Sequence, residues 1–334
     1  MNLYTKVDTP AANFNIDYTS RLAFFGSCFA DNISAQFAER KFKVMANPFG
    51  TVYNPISLAS QAKAIAEGKV FKDKDVFKDE RCDGLWHCWS AHSSLSAHTR
   101  EECIDKLNAA TTQARDFLQK ADVVFVTLGT SFVYFLKGNG KPVSNCHRQD
   151  PNLFTRRMIS VEEATDAIRE IVASIRLLNP NSSIVLTVSP LRHMSDGAHN
   201  NTLSKATLQL AINEIVKHES GIAASAGAFI EYFPSYEIVM DELRDYRFYE
   251  SDMVHLSRTA EEYIFERMAD TYCSEITRGH IAKVEKFLKG ARHRIQDESS
   301  PAAQDFLKKI NAQAAQLETE IPGLNLSDEK RPVK

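Results

Sequence analysis

A serine and a cysteine follow an apolar run near the start of the chain, in the stretch RLAFFGSCFADNIS. Ser27 and Cys28 come directly after Gly26, and a helical pattern begins within a few residues. A hydroxyl between a buried strand and a helix N-terminus is well placed for nucleophilic attack, because unpaired backbone N–H groups and partial positive charge lie there. Serine is also a common helix N-cap, so the residue types alone leave both interpretations open.

A serine nucleophile needs a base, and the chain offers ten histidines. In the stretch YESDMVHLSRTA, Asp252 and His255 are three residues apart, just before a predicted helix. A carboxylate at this spacing can accept a hydrogen bond from one ring nitrogen, which fixes the tautomer and leaves the other nitrogen to face the serine. We therefore predict Ser27, Asp252 and His255 as the catalytic residues, with His193 as the reserve base. A capped turn beside a surface histidine is the alternative.

Two other nucleophiles remain open at this stage. Ser131 follows Gly129 in LGTSFV, which resembles half of the G-x-S-x-G elbow, although Val133 stands where the second glycine belongs. The thiol of Cys28, at a helix N-terminus, can have a lowered pKa, and its apolar neighbours fit a buried structural cysteine equally well.

Two loops contain side chains suited to substrate contact. Arg192 and His193 lie in SPLRHMSDGAHNN, where a guanidinium group can bind a carboxylate or a phosphate. Trp86 and His92 lie in WHCWSAHSSLS, where aromatic faces beside polar groups suit sugar rings. A solvated capping loop and a plain hydrophobic loop are the respective alternatives.

Composition excludes several classes of protein and of site. The net charge of −3 lacks the basic excess of a nucleic-acid-binding surface. No apolar run approaches the roughly 20 residues that span a bilayer, and the chain begins without a signal-peptide pattern. The six cysteines form no CxxC pair, and the histidines and cysteines between residues 82 and 98 match no common zinc spacing. We predict a cytoplasmic protein with no metal, cofactor, nucleic-acid or membrane partner.

Predicted strands and helices, which position these residues, alternate along the chain. Near-continuous apolar runs predict buried strands at residues 21–25, 121–131 and 182–193, and a weaker one from Gly227. Helical patterns are predicted over residues 31–40, 54–67, 100–119, 160–179, 201–219 and 258–276. This alternation predicts a three-layer α/β/α sandwich with a mostly parallel central sheet over residues 1–276. Residues 277–334 are highly charged and predict a helical appendage, either docked on the core or partly mobile.

The chain resembles the GSCFA family, which is named after the signature at residues 26–30. The likeness covers about residues 20–272 and continues in the blocks NPFGTVYNP, TLGTSFVY, VSPLRH and YFPSYEIVMDELRDYRFYESDMVHLS. This family in turn resembles the SGNH, or GDSL-like, hydrolases. The resemblance implies that Ser27 is the nucleophile and that Asp252 and His255 form the closing D-x-x-H block.

The resemblance also implies an oxyanion hole. Its donors are expected to be the N–H groups of Ser27 and Gly50. The third SGNH block is usually G-x-N-D, and here Ser131 stands at the asparagine position. Ser131 or Asn47 is therefore expected to supply the remaining donor.

The activity implied is that of a serine esterase that deacylates an acylated carbohydrate or a related small ester through an acyl-Ser27 intermediate. An acyltransferase that passes the acyl group to a sugar hydroxyl would use the same residues. A binding or scaffold protein on the same fold is the third possibility, because the block asparagine is absent.

Overall fold

The computed structural model describes residues 5–9, 12–225, 228–293 and 300–331. The strands are β1 (Arg21–Gly26), β2 (Lys43–Ala46), β3 (Phe77–Lys78), β4 (Trp86–His87), β5 (Val123–Leu128), β6 (Phe132–Leu136), β7 (Pro142–Val143), β8 (Phe154–Met158), β9 (Ser183–Val188) and β10 (Ile230–Tyr232). The helices are α1 (Cys28–Glu39), α2 (Pro55–Glu67), α3 (Arg100–Leu118), α4 (Val161–Leu178), α5 (Ala198–Ser225), α6 (Ser235–Glu237), α7 (Arg258–Tyr272), α8 (Glu275–Ala291) and α9 (Pro301–Glu320).

The central sheet has five strands in the order β10-β9-β5-β1-β2, and every neighbouring pair is parallel. Side chains of β1 alternate between the two faces: Ala23 and Phe25 join one hydrophobic cluster, and Leu22 and Phe24 join the other. Both faces of the sheet are therefore buried, which explains why its strands are continuous apolar runs in the sequence.

Helices cover both faces of this sheet. Buried side chains of α2, α3, α4 and α5 complete the first cluster, and those of α1, α7, α8 and α9 belong to the second. The predicted three-layer α/β/α sandwich is confirmed, and the carboxyl ends of its strands meet at one edge. The helices α8 and α9 of the predicted appendage pack on the core.

Some element boundaries differ from the prediction. Helix α1 begins at Cys28 rather than near residue 31, so Ser27 is its N-cap. The pattern over residues 258–276 is two helices, because Cys273 and Ser274 separate α7 from α8 and Ser274 caps α8. The predicted domain boundary at residues 276 and 277 falls in the first turn of α8, and it stays a prediction. Gly227, where the fourth strand was expected to begin, lies outside the described residues.

Three parts of the architecture were not predicted, and one of them is the antiparallel pair of β3 and β4. Strand β2 is a short, half-buried edge strand that pairs with β1. A small antiparallel sheet in the order β7-β6-β8 follows directly after β5 and stands beside the carboxyl edge of the main sheet. Across the part of the chain that the structure describes, no helix is both long and apolar enough to cross a bilayer. The cytoplasmic location stays a prediction.

Candidate active site

The turn after β1 fixes the backbone of Ser27. Gly26 has a φ of +125°, and a Cβ atom there would lie 1.9 Å from the carbonyl oxygen of Thr127. Only glycine fits so close to the neighbouring strand β5. The N–H of Gly26 donates to Asn47 Oδ1 at 2.7 Å, and the N–H of Ser27 donates to the Thr127 carbonyl at 3.2 Å. The chain therefore leaves β1 in one defined direction, with the Ser27 side chain at the carboxyl edge.

The hydroxyl of Ser27 does not act as a helix cap. Ser27 occupies the N-cap position of α1, yet its side chain accepts no hydrogen bond from the first turn. Its Oγ is buried and has no hydrogen-bond partner among the described residues. An N-cap serine normally uses its oxygen to accept from the second or third N–H of the helix. The structure therefore contradicts the capping interpretation of this hydroxyl, and its role as a nucleophile stays a prediction.

Ser27 lines a cavity of about 540 Å³. The cavity lies at the carboxyl edge of the main sheet, between the loops that follow β1, β5 and β9 and the small β7-β6-β8 sheet. His255 lines the same cavity from the loop before α7. Two residues that are distant in sequence thus face one space, as the parallel topology predicts.

Asp252 holds the ring of His255. Its Oδ2 lies 2.5 Å from His255 Nδ1, and its Oδ1 accepts from the backbone N–H groups of Val254 and His255, both at 2.9 Å. The hydrogen bond from His255, followed by the two backbone bonds, lowers the pKa of Asp252 to about 2. Asp252 is therefore a carboxylate at neutral pH, and His255 is oriented with Nε2 available as a proton acceptor.

No hydrogen bond joins Ser27 to His255 in this structure, since Ser27 Oγ has no partner within the described residues. Catalytic hydrogen bonds are often long in ligand-free enzymes and shorten in the substrate complex. His255 is half-exposed on its loop, which leaves its ring room to move.

Gly50 and Asn47 do not lie on the cavity wall, and their donors are already used. The N–H of Gly50 donates to the carbonyl of Asn47 at 2.7 Å, and Asn47 Nδ2 donates to Asp31 Oδ1 at 2.7 Å. A Cβ at Gly50 would lie 2.2 Å from the Cβ of His92, so this glycine serves close packing. Both residues shape the turn beside Ser27 rather than present free donors to the cavity.

The other two candidate nucleophiles are Ser131, whose polar groups are hydrogen-bonded, and Cys28, whose thiol has a raised pKa. Ser131 is fully buried, and its N–H and hydroxyl both donate to Ser204 Oγ, at 2.7 and 3.1 Å. Its neighbour Thr130 lines the cavity instead. Burial, together with the nearby Asp31, raises the pKa of the Cys28 thiol, which keeps it protonated and weakly nucleophilic.

Asn54 is a cavity residue that sequence reasoning assigned only to the start of α2. Its Oδ1 accepts from the Ser57 N–H at 2.8 Å and caps the helix. Its Nδ2 has no hydrogen-bond partner among the described residues, and the side chain lines the cavity. The Val52 N–H donates to the Gly26 carbonyl at 2.9 Å, which holds this segment beside the Ser27 turn. An amide donor that lines the same cavity as the candidate nucleophile is suited to bind an oxyanion.

Of the predicted substrate contacts, the structure brings Arg192 and His193 to the cavity but not Trp86 and His92. Trp86 lies on β4 beneath the guanidinium of Arg100, whose carbon is 5.7 Å from the ring centroid. His92 Nδ1 faces the N–H and hydroxyl of its neighbour Ser94.

The aromatic side chains on the cavity wall are instead Tyr53, Phe132 and Tyr134. Two of them lie on β6 of the small sheet that the sequence did not predict. The tryptophan loop was a plausible sugar platform by composition, but only the folded chain shows which rings face the cavity.

The histidines and cysteines between residues 82 and 98 do not assemble as a ligand set. Among the described residues, metal-ligating side chains come together only at Asp79, Asp83 and His87. The ring nitrogens of His87 already face Ser96 Oγ at 2.6 Å and Asp83 Oδ1 at 3.1 Å. Asp79 accepts backbone N–H groups of the turn that follows it, so this cluster has a structural explanation.

A buried lysine lies beneath the cavity. Lys205, on α5, is 1% exposed, and its Nζ lies 2.6 Å from the carbonyl oxygens of Gly129 and Ser189. These residues directly follow the strands β5 and β9, so one amino group ties together two loops of the cavity. Burial, with Lys205 close by, also lowers the pKa of His193 to about 4, so that ring is neutral at pH 7.

Lys205 is expected to make the stability of the protein depend on pH. Burial lowers its pKa from 10.5 to about 7, so between these values the unfolded chain binds more protons than the folded chain. The contribution of Lys205 to stability should therefore improve as the pH rises from 7 to 9, by about 1 kcal/mol per pH unit. Urea unfolding at pH 7, 8 and 9 measures the free energy of unfolding of the wild type and of Lys205→Met. The value for the wild type minus that for the variant should increase with pH.

Lys106→Met is the matched control, because Lys106 is a partly exposed lysine that pairs with Glu102 and also donates to a backbone carbonyl, that of Ser96. The difference in free energy of unfolding between the wild type and Lys106→Met should stay constant over the same pH range. A constant difference for Lys205→Met as well would show that Lys205 does not lose its proton on folding.

Comparison with known proteins identifies the family. The model of the GSCFA family matches residues 21–268, and that of the GSCFA domain protein C-terminal domain matches residues 284–334. No curated protein matches the chain. A solved structure of an acetyl xylan esterase from the rumen bacterium Butyrivibrio proteoclasticus is similar to this chain, with 14% sequence identity and a TM-score of 0.39. The match covers 76% of this chain and 63% of the esterase chain, which is less than two thirds of the length of the esterase. With both family models matched in order along the sequence, this chain belongs to the GSCFA family.

Proposed function

We propose that this protein is a serine esterase of the SGNH type that acts on a small acylated substrate, such as an acylated carbohydrate. The observation that carries the proposal is the shared cavity of Ser27 and His255. It joins a buried hydroxyl that has no partner among the described residues to an imidazole that a carboxylate orients. The cavity volume of about 540 Å³ lies in the range of small-ligand sites.

In the first half-reaction, His255 Nε2 takes the proton of Ser27 while Oγ forms a bond to the carbonyl carbon of the ester. The oxyanion that results accepts a hydrogen bond from Asn54 Nδ2. The bond to the alcohol oxygen then breaks, and His255 returns the proton to the leaving alcohol. In the second half-reaction water attacks acyl-Ser27, His255 takes a proton from the water, and the acid leaves as Ser27 is protonated again.

His255 suits the role of base better than His193 does. The imidazolium that forms during the reaction lies against the Asp252 carboxylate at 2.5 Å, which stabilises its charge. Burial and the nearby Lys205 oppose a positive charge on His193. His193 lies on the same cavity and is therefore assigned to substrate contact rather than proton transfer.

Ser27→Ala should lower kcat for 4-nitrophenyl acetate by about 10⁴-fold or more, because it removes the atom that forms the acyl intermediate. The matched control is Ser131→Ala, since Ser131 is a second serine that follows a central strand but does not line the cavity. Its kcat should stay within about threefold of the wild type. Full activity in Ser27→Ala, or its loss in a folded Ser131→Ala, would contradict the assignment.

Asn54→Ser should lower kcat by about 10²-fold with little change in KM, because the transition-state oxyanion loses a donor. Serine also caps helices well, so the melting temperature should change little. Asn145→Ser is the control: Asn145 lines the same cavity, but no hydrogen bond links its segment to the Ser27 turn. An equal fall in kcat for both variants, or no fall for Asn54→Ser, would remove Asn54 from the oxyanion hole.

A further inference from the structure

The charges around the cavity point to the kind of ester that it accepts. Of the described residues that line it, none is an aspartate or a glutamate, and two are arginines, Arg156 and Arg192. Arg156 is neutralised within the protein, since its guanidinium lies 2.5 Å from the buried carboxylate of Asp196. It also lies over the rings of Phe132 and Tyr134, at 4.3 and 5.2 Å from their centroids.

Arg192 has no such partner. Its side chain is exposed, and no carboxylate within the described ranges lies within 4.0 Å of its guanidinium. Within the described ranges, its one side-chain hydrogen bond runs from Nη2 to the Met240 sulfur, at 3.7 Å. A guanidinium with its donors free at the wall of a cavity without acidic residues is suited to bind a carboxylate or phosphate in bidentate fashion.

The position of Arg192 relates this charge to the reaction. Arg192 and Val254 line both the Ser27 cavity and a second cavity of about 680 Å³, so the two spaces meet beside the loop of His255. His255 must reach the alcohol oxygen of the ester in order to protonate it, whereas Asn54 faces the acyl oxyanion. The alcohol part of the substrate therefore lies on the side of Arg192.

We infer that the substrate is an ester whose alcohol part bears an anionic group, a carboxylate or a phosphate, and that Arg192 binds this group. The inference rests on the proposed function and extends it to a substrate class. A neutral acyl group would occupy the Ser27 end of the cavity, and the charged group of the alcohol part would lie at Arg192, where the two cavities meet. It would not enter the second cavity, whose wall includes Asp245 and Asp252.

The test compares 4-acetoxybenzoate with its methyl ester, two acetate esters that differ in the charge of the alcohol part. Arg192→Gln should lower the ratio of kcat/KM for the anionic over the neutral ester by about tenfold or more, chiefly through KM. Arg244→Gln is the control, because Arg244 lines only the second cavity and pairs with Asp241; its ratio should equal that of the wild type. Comparison of ratios cancels the intrinsic difference in reactivity between the two esters.

An unchanged ratio in Arg192→Gln, or an equal fall in Arg244→Gln, would overturn the anionic substrate class and leave the esterase proposal standing. If the wild type hydrolyses neither ester, the proposed function fails, and the anion site is judged by calorimetric titration with 4-hydroxybenzoate and its methyl ester. The site is supported if the wild type binds 4-hydroxybenzoate but not its methyl ester, and if Arg192→Gln no longer binds 4-hydroxybenzoate. Equal binding of both compounds, or none, would overturn it.

Discussion

The close approach of Gly26 to the Thr127 carbonyl is the constraint on which the candidate site depends. Strands β1 and β5 pair side by side, and a glycine at the end of β1 is the only residue that can turn there without meeting the β5 backbone. That turn places Ser27 at the start of α1 with its hydroxyl uncommitted. Asn47 then fixes the same turn through the Gly26 N–H, so the position of Ser27 is set by backbone contacts rather than by its own side chain.

The rest of the cavity is arranged around that turn by a few long-range contacts. Val52 attaches the Asn54 segment to Gly26, and Lys205 holds the loops after β5 and β9 through their carbonyl oxygens. A buried amino group is costly to desolvate, and its two short hydrogen bonds offset part of that cost. The Asp252 loop is organised by its own turn. It supplies His255 from the surface side of the cavity.

Much of the architecture was predictable because long apolar runs have few alternatives. The strands β1, β5 and β9 and the helices α2, α3 and α4 lie close to their predicted positions, and their alternation predicts the parallel sheet. Strand β2 was missed since a short, half-exposed edge strand has little apolar signal. The small sheet was missed because its strands have only two to five residues. The cavity-facing rings of Phe132 and Tyr134, which lie on that sheet, were therefore missed as well.

Within the site, local patterns predicted the Asp252–His255 pair, whose geometry depends on one tight turn. They did not predict the roles of Gly50, Asn47 and Ser131, because whether a donor is free depends on partners distant in sequence. Asn54 was assigned to α2 since an asparagine before proline is a familiar helix start. Its proposed role as an oxyanion donor depends on Val52 pairing with Gly26, which no periodicity reveals.

The central claim is that Ser27 becomes acylated during turnover. Acid quenching of the protein while it hydrolyses 4-nitrophenyl acetate, followed by digestion and fragment-ion mass spectrometry, locates the acetyl group directly. Ester and thioester adducts differ in their sensitivity to neutral hydroxylamine, so Ser27 and Cys28 can be told apart. We predict a single acetyl group on Ser27. An acetyl group on Cys28, Ser131 or a histidine, or turnover with no adduct at any residue, would contradict the account.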